Sequence, residues 1–181
     1  MTYLNTSDTP DTAPRTIGMS VNDGALDSPV ASRTVSVVSI NDAPSFADSL
    51  GGRIAYTEQA SPVVLAAGVT VSDAELSALG TYAGASLTLA RQDGASPDDR
   101  FSARVDGSLG PLTEGASLTY DGTVLGTVTR NSGGVLTLIF SGGSAAQVSG
   151  VLREIAYANT SDAPPAQVVL GWTFSDGNAG A

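Results

Sequence analysis

Short runs of alternating apolar and polar residues recur along most of the chain, and glycine, proline and Asx residues separate them. Alternation with a period of two is typical of half-buried β-strands. The pattern predicts strands at residues 33–40, 53–57, 62–72, 85–90, 101–105, 117–120, 123–130 and 135–140, and again around Tyr157 and Leu170. Asp121-Gly122 is a strong hairpin turn signal between two of these runs.

One segment has helical instead of alternating spacing. Ser144 can cap a helix and Gln147 can reach back to it, which is the arrangement of a capping box. An apolar stripe at helical spacing follows, formed by Val148, Val151, Leu152 and Ile155. Gly150 lies inside it and weakens a helix by about 1 kcal/mol relative to alanine. The segment therefore predicts one short helix near residues 145–155. Many short strands with turn residues between them then predict an all-β Greek-key β-sandwich that carries this helix.

The chain also repeats itself at a spacing of 153–154 residues. Residues 3–10 (Tyr-Leu-Asn-Thr-Ser-Asp-Thr-Pro) recur as residues 157–164 (Tyr-Ala-Asn-Thr-Ser-Asp-Ala-Pro), and residues 17–24 correspond to residues 170–177. A spacing this long indicates whole β-domains in tandem rather than a solenoid.

The repeat predicts the domain organisation. Residues 1–44 are expected to be the closing strands of one domain, and residues 45–181 the next domain without its last strand. Three strands alone rarely fold in water. Residues 1–44 could pack on the second unit, fill its vacant strand position or lend strands to another chain, and the sequence leaves this open.

Composition narrows the classes of function. The chain has 18 acidic and 8 basic residues for a net charge of −10, and it contains no lysine, histidine or cysteine. An acidic chain is a poor partner for nucleic acid. Disulfides, Cys/His zinc sites, histidine base catalysis, lysine Schiff bases and Lys–Asn cross-links are excluded. No apolar run approaches the roughly 20 residues of a membrane span, so no membrane-spanning helix is expected.

Oxygen-bearing side chains stand where the two predicted domains meet. Asn41 and Asp42 lie just before Pro44, which ends the preceding strand because it has no N–H to donate. Clustered oxygens are the ligands that a hard cation such as Ca²⁺ prefers. The acidity has a second interpretation, since negative charge alone also keeps a secreted protein soluble.

This stretch resembles the end of a cadherin-type extracellular repeat. That pattern has Asp-x-Gly, a loop with proline, a β-branched strand and an Asx-rich junction before proline. The residues that match it in order are Asp23, Gly24, Pro29, Val35, Val37, Asn41, Asp42 and Pro44. The Tyr-x-Asn-Thr-Ser-Asp-x-Pro repeat is also similar to cadherin-like modules of very large bacterial surface proteins and adhesins. The resemblance implies a cell-surface location within a larger secreted protein.

The resemblance also implies Ca²⁺ as a cofactor. Asn41 and Asp42 fall on the junction, and Asp73 and Glu75 fall where the family has Asp-x-Asp. Ser39 replaces the first junction aspartate, and the junction is one residue shorter. Both departures imply fewer bound Ca²⁺ ions and weaker binding. The full set of implied metal ligands is Asn41, Asp42, Asp73, Glu75, Glu58, Asp23 and Asp176.

Each of these acidic positions also has a purely structural interpretation. Asp23 can simply be part of a tight turn. Asp73 and Glu75 can belong to a solvated loop. Glu58 can be a surface residue, and Asp98-Asp99 can be part of a polar loop over residues 92–100.

Three functional hypotheses follow. The leading one is a non-catalytic structural or adhesion module, with neighbouring repeats, other copies or a cell-surface glycan or protein as partners. The second is a glycan- or other ligand-binding module, in which aromatic side chains stack on a sugar. The third is an enzyme, which is disfavoured because no nucleophile elbow, P-loop or histidine metal motif is present. The aromatic candidates are Trp172, Tyr56, Tyr82 and Tyr120. For Trp172, which stands in an alternating strand, packing in the core is the stronger interpretation.

Overall fold

The computed structural model describes residues 2–48 and 50–178. The chain forms two compact units, and the division falls between Asn41 and Asp42. Unit 1 comprises the residues up to Asn41, and unit 2 begins at Asp42.

Unit 1 is a two-stranded antiparallel hairpin. Strand β1 (Arg15–Met19) pairs with β2 (Ala31–Val35), so that Arg15 lies opposite Val35 and Met19 opposite Ala31. The prediction of a strand over residues 33–40 is only partly right, because β2 ends at Val35. Val38 and Ile40 are 81 % and 69 % exposed. Most of the hairpin is exposed, and isolated two-stranded sheets are marginally stable.

Unit 2 contains ten strands and two helices among its described residues. Its helices are α1 (Ala74–Leu79) and α2 (Ala145–Arg153). Its strands are β3 (Ser45–Ala47), β4 (Val63–Val64), β5 (Thr70–Ser72), β6 (Ser86–Arg91), β7 (Asp99–Ala103), β8 (Ser117–Tyr120), β9 (Thr123–Ser132), β10 (Val135–Phe140), β11 (Ile155–Asn159) and β12 (Leu170–Ser175).

All strand pairs of unit 2 are antiparallel. One sheet has the order β12-β6-β10-β9-β8, a second has the order β4-β11-β7, and β3 pairs with β5. The prediction of an all-β fold is confirmed. Within the described residues, no helix is long and apolar enough to cross a membrane.

The hairpin predicted at Asp121-Gly122 is present between β8 and β9. Tyr120 pairs with Thr123, and the two turn residues have φ of 48° and 71°. Positive φ at both central positions is typical of the turn that matches the twist of antiparallel strands. The local sequence was therefore sufficient to fix this connection.

Other local predictions were wrong. Residues 53–57 form no strand, and the predicted strand over residues 62–72 is divided into β4 and β5 by a turn at Ala67-Gly68. A second helix, α1, occupies residues that were expected to form a loop or an Asp-x-Asp motif. It is a single short helix whose only buried side chain is Leu76, so it leaves no apolar stripe in the sequence.

The core lies within unit 2 and forms a single apolar cluster. The five-stranded sheet contributes alternate residues such as Leu87 and Leu89 of β6 and Leu136 and Leu138 of β10. Tyr82 is the largest of the fully buried side chains, and α2 contributes its apolar stripe to the same cluster. Both the sheets and α2 are therefore held by one continuous hydrophobic cluster.

Helix α2 confirms the predicted capping box. Ser144 N donates to Gln147 Oε1 at 3.0 Å, and Gln147 N donates to Ser144 Oγ at 3.3 Å. Gly150 has a packing reason to be glycine, because a Cβ there would collide with the ring of Tyr120. The stripe residues Val148, Val151 and Leu152 are fully buried.

Replacing Ser144 by alanine is expected to lower the free energy of unfolding by about 1 kcal/mol, because it removes one half of the capping box. Urea denaturation at neutral pH measures this change. Ser141→Ala is a suitable control, since Ser141 is exposed and only its backbone N–H is bonded, to Leu125 O. Equal midpoints for the two variants would contradict the capping role.

Candidate metal centre

Strand β3, at the start of unit 2, pairs with β5, the strand that precedes α1. In this pairing Ser45 is opposite Ser72, and their hydroxyl oxygens are 3.0 Å apart. The first residue of β3 therefore lies next to Ser72, the residue before Asp73.

Asp73 is the N-cap of α1, and one of its two carboxylate oxygens has a hydrogen-bond donor. Oδ1 accepts from Leu76 N at 2.8 Å, which is the usual N-cap bond. The residue is only 4 % exposed. Its second oxygen, Oδ2, is buried and has no hydrogen-bond partner among the described residues.

Glu75 adds two more such oxygens in the same helical turn. Both Oε1 and Oε2 are buried, and neither has a hydrogen-bond partner within residues 2–48 and 50–178. Three buried carboxylate oxygens thus lie at residues 73–75 without a donor. At surface sites, the positive end of a helix dipole stabilises a carboxylate by up to about 1 kcal/mol. This gain is smaller than the several kcal/mol that burying an ion costs.

No arginine neutralises these two carboxylates. The one ion pair among the described residues joins Arg91 to Asp99. A buried, negatively charged oxygen pair must gain a proton, a donor or a cation. The oxygen donors of Asp73 and Glu75 fit a hard cation such as Ca²⁺, which takes six to eight oxygen ligands, including backbone carbonyls and water.

Asp176 lies at the same end of unit 2. It follows β12, whose Phe174 ring is 6.2 Å from the ring of Phe46 in β3 and 6.2 Å from the ring of Tyr82. The hydroxyl of Tyr82 is in turn 3.3 Å from Ser77 Oγ in α1. Asp176 is 5 % exposed, and its Oδ1 accepts from Asn178 N at 2.9 Å.

The seven predicted ligands do not form a single cluster. No group of three or more Asp, Glu, His or Cys side chains is arranged to hold a metal ion in the part of the chain that the structure describes. Asp73 and Glu75 lie at the start of α1, and Asp176 follows β12, whose Phe174 packs near Phe46 of β3. Asp42 is not gathered into a cluster with Asp73 and Glu75 among the described residues. A cation at Asp73 and Glu75 would take its remaining ligands from backbone carbonyls, amide oxygens or water.

Asp23 and Asn41 belong to unit 1, and Glu58 lies elsewhere in unit 2. Asp23 Oδ1 accepts from Leu26 N at 3.0 Å and from Ala25 N at 2.9 Å, and these bonds lower the pKa of the Asp23 carboxyl. Asp23 therefore serves a turn. Glu58 is exposed and sits in a turn closed by the Ala60 N to Thr57 O bond.

Sequence reasoning missed the main polar centre of the core, which surrounds Asp99. Arg91 donates two hydrogen bonds to this carboxylate, from Nε to Oδ2 at 2.6 Å and from Nη2 to Oδ1 at 2.7 Å. Tyr157 Oη and Asn159 Nδ2 also donate to Oδ1, at 2.6 Å and 2.9 Å. Asp99 is thus the first residue of β7 and not part of a polar loop.

The donors around Asp99 determine its protonation. Burial by itself raises the pKa of the carboxyl, but the bonds from Arg91, Tyr157 and Asn159 outweigh it and hold the pKa below its usual value. Burial and the neighbouring carboxylate raise the pKa of Tyr157. With four donors already directed at it, Asp99 is a structural carboxylate and a poor metal ligand.

This centre explains the repeated Tyr-x-Asn motif. Asn159 Oδ1 accepts from Ser161 N at 2.9 Å while its Nδ2 holds Asp99. In the first copy, Asn5 Oδ1 accepts from Ser7 N at the same 2.9 Å. The repeat could have revealed the centre, since a tyrosine and an asparagine two residues apart share one strand face.

The aromatic candidates form no common platform. Tyr82 is fully buried, and Tyr120 packs on α2 at Gly150. Trp172 is half-buried, with its ring 6.4 Å edge-on from that of Phe46. Tyr56 donates to Asn159 O at 3.1 Å. Only Tyr56 and Trp172 line a common groove.

Comparison of the chain with protein-family models, with curated proteins and with solved structures finds no significant match. The cadherin-like resemblance therefore stays a prediction.

Proposed function

We propose that the chain is a non-catalytic structural module of a repetitive extracellular surface protein, with a cadherin-like Greek-key sandwich, and that Ca²⁺ at the Asp73–Glu75 end stiffens it. One observation carries this proposal. Three carboxylate oxygens of Asp73 and Glu75 are buried without a donor among the described residues, next to the pairing of β3 with β5 at the start of unit 2.

The proposed role of the cation follows from its position. Asp73 is the N-cap of α1, and Ser72 before it pairs with Ser45, three residues after Asp42. A cation held by Asp73 and Glu75 removes the repulsion between two buried carboxylates. It can also draw backbone or side-chain oxygens of the junction towards α1, which ties the entry of unit 2 to its core. Such a cross-link restricts the movement of the module at its end.

Other features support a structural module over an enzyme. In the polar cluster around Asp99, both carboxylate oxygens accept hydrogen bonds from side chains of the neighbouring strands. Asp99 therefore joins β6, β7 and β11 instead of facing a substrate. The tandem repeat further supports a protein assembled from successive copies of one fold.

Calcium titration after chelation tests the proposal. At a free Ca²⁺ concentration about 100 times Kd, binding adds about 2.7 kcal/mol to the free energy of unfolding, a rise in Tm of roughly 5–11 °C for a chain of this size. Asp73→Asn keeps a good N-cap but removes the charge, so it should lose most of this rise. Glu58→Gln, at an exposed carboxylate, should keep it. Absence of both heat and a shift in Tm for the unmodified protein rules the proposal out.

A further inference from the structure

The far edge of β12 has no strand partner in the described part of the chain. β12 pairs with β6 on one side and is the terminal strand of the five-stranded sheet. Alternate residues of an antiparallel strand direct their backbone groups to opposite neighbours. Because Val169 O accepts from Gln92 N, the backbone groups of Leu170, Trp172 and Phe174 point towards the open edge.

This edge lacks the usual protection. Natural edge strands are commonly blunted by charged residues, proline or a covering segment. The six residues of β12, Leu-Gly-Trp-Thr-Phe-Ser, include neither a charge nor a proline. An unprotected edge of this length is a template for another strand.

A groove adjoins the same edge. It has a volume of about 720 Å³, and its walls are residues 50–54, residues 63–68 and residues 164–170, together with Trp172. Val168, Leu170 and Trp172 are half-buried against the core on this side. Apolar side chains of an added strand would therefore find apolar surface beneath them.

The internal repeat identifies what belongs on this edge. Residues 17–24 of the first copy correspond to residues 170–177, and the two turns that follow have the same geometry. Ala25 N donates to Asp23 Oδ1 and Asn178 N donates to Asp176 Oδ1, both at 2.9 Å. The glycines after the two aspartates both have positive φ, 102° and 84°. Strand β1 is thus the counterpart of β12.

In the first copy, Ser28 N donates to Val21 O, and Val21 corresponds to Phe174, so the chain that leads into β2 lies on the matching edge of β1. We propose that the open edge of β12 and its groove form a strand-acceptor site, and that its occupant is the segment 31–40 of a second copy of this chain. The observed β1–β2 pairing, in which Thr16 lies opposite Thr34 and Arg15 opposite Val35, supplies the register. Transferred to β12, it places Thr34 of the incoming strand opposite Val169, and Val35 opposite Val168.

The donor segment has the side chains that this register needs. Val35 and Val37 are two apart and share one face of the segment. Extending the register two residues beyond the observed pairs brings Val37 opposite Ala166, a residue of the groove wall. Arg33 falls opposite Leu170, just as it lies opposite Ile17 in the observed hairpin. Pro165 follows in the register and has no N–H, so pairing ends there.

The second copy is favoured as the donor because its segment 31–40 belongs to a weakly held hairpin. Four of the five residues of β2 are exposed, and the segment after it carries exposed Val38 and Ile40. A two-stranded sheet is marginally stable, so exchanging β2 onto the edge of the five-stranded sheet gives it a more stable neighbour. Reciprocal exchange gives a dimer, and one-way exchange gives a filament.

Cross-linking between single-cysteine chains tests the register. The native chain contains no cysteine, so a Thr34→Cys chain mixed with a Val169→Cys chain can form only engineered disulfides. The mixture should yield a mixed dimer under mild oxidation, about tenfold faster than the offset pair Arg33→Cys and Val169→Cys, whose side chains face opposite sides. Equal or negligible rates for the two pairs overturn the proposal.

A matched pair of variants provides a second measurement. Val37→Asp places a charge in the groove and should weaken self-association about tenfold or more, since a buried valine accounts for at least that factor. Val38→Asp changes the opposite, 81 % exposed side chain and should change association less than twofold. Sedimentation of both in chelator keeps the outcome independent of Ca²⁺. A monomeric native protein at high concentration, or equal effects of the two variants, contradicts strand acceptance.

Discussion

Replacing Asp99 by alanine should lower the free energy of unfolding by about 3–5 kcal/mol, because it leaves the guanidinium of Arg91 buried without its partner. The side chain of Asp99 is fully buried and that of Arg91 is 11 % exposed, so solvent does not compensate the loss. Tyr157 and Asn159 lose their acceptor in the same step. For a chain of this size the change corresponds to a fall in Tm of roughly 6–20 °C, measurable by calorimetry.

The neighbouring carboxylate provides the control. Asp98 is half-buried, and its hydrogen bonds within the described residues involve only its backbone. Its N donates to Ser96 Oγ at 3.4 Å, and its O accepts from Thr160 N at 2.9 Å and from Thr160 Oγ1 at 3.2 Å. Asp98→Ala should therefore change the free energy of unfolding by less than about 0.5 kcal/mol. Similar losses for Asp98→Ala and Asp99→Ala would show that the network around Asp99 is not a principal source of stability.

The pH profile gives an independent check on Asp99. Its pKa is lower in the folded protein than in the unfolded chain, so its contribution is fully present above the unfolded pKa of about 3.9. The contribution is lost as the pH falls from about 4 through the folded pKa. The Asp99→Ala variant should consequently show a shallower loss of stability on acidification than the native protein.

Replacing Glu75 by glutamine should raise the stability of the protein in chelator by about 1–3 kcal/mol while removing its response to Ca²⁺. The reason is the same for both effects. The two carboxylate oxygens of Glu75 are buried and have no donor among the described residues. Without a cation the buried charge lowers the stability, and with a cation the carboxylate serves as a ligand. Thermal unfolding in chelator and in excess Ca²⁺ measures both effects with one sample.

Glu114→Gln separates this behaviour from a general effect of charge. Glu114 is exposed and accepts from Asn131 N at 2.9 Å, and that bond lowers the pKa of its carboxyl. This variant removes the same formal charge but should keep the full rise in Tm with Ca²⁺. If Glu75→Gln is destabilised in chelator and still responds to Ca²⁺, then Glu75 is not a ligand.

Local signals in the sequence were enough for elements that depend on nearby residues. The bounds of β8 and β10 follow from alternation, the Asp121-Gly122 turn follows from its backbone requirement, and α2 follows from its cap and apolar stripe. Helix α1 was missed because it buries only Leu76. Its defining feature, the cap at Asp73, is common to turns and helices.

The polar centres depended on contacts that are distant in sequence. Asp99 meets Tyr157 across 58 residues and Asn159 across 60, which no local pattern encodes. Asp73 and Glu75 were identified by resemblance, but their burial was not expected, because a solvated loop was an equal alternative. The resemblance also grouped Asp23 and Asn41 with them, although these two belong to unit 1.

The most direct test is a crystal grown with Ca²⁺ and its anomalous difference map. The proposal predicts a peak within about 2.3–2.6 Å of Asp73 Oδ2 and of a Glu75 carboxylate oxygen, with the remaining ligands from backbone oxygens, the residues near Asp42 and Asp176, or water. A map without a peak there, in which both carboxylates instead receive donors from the protein, contradicts the calcium site and the stiffening role built on it.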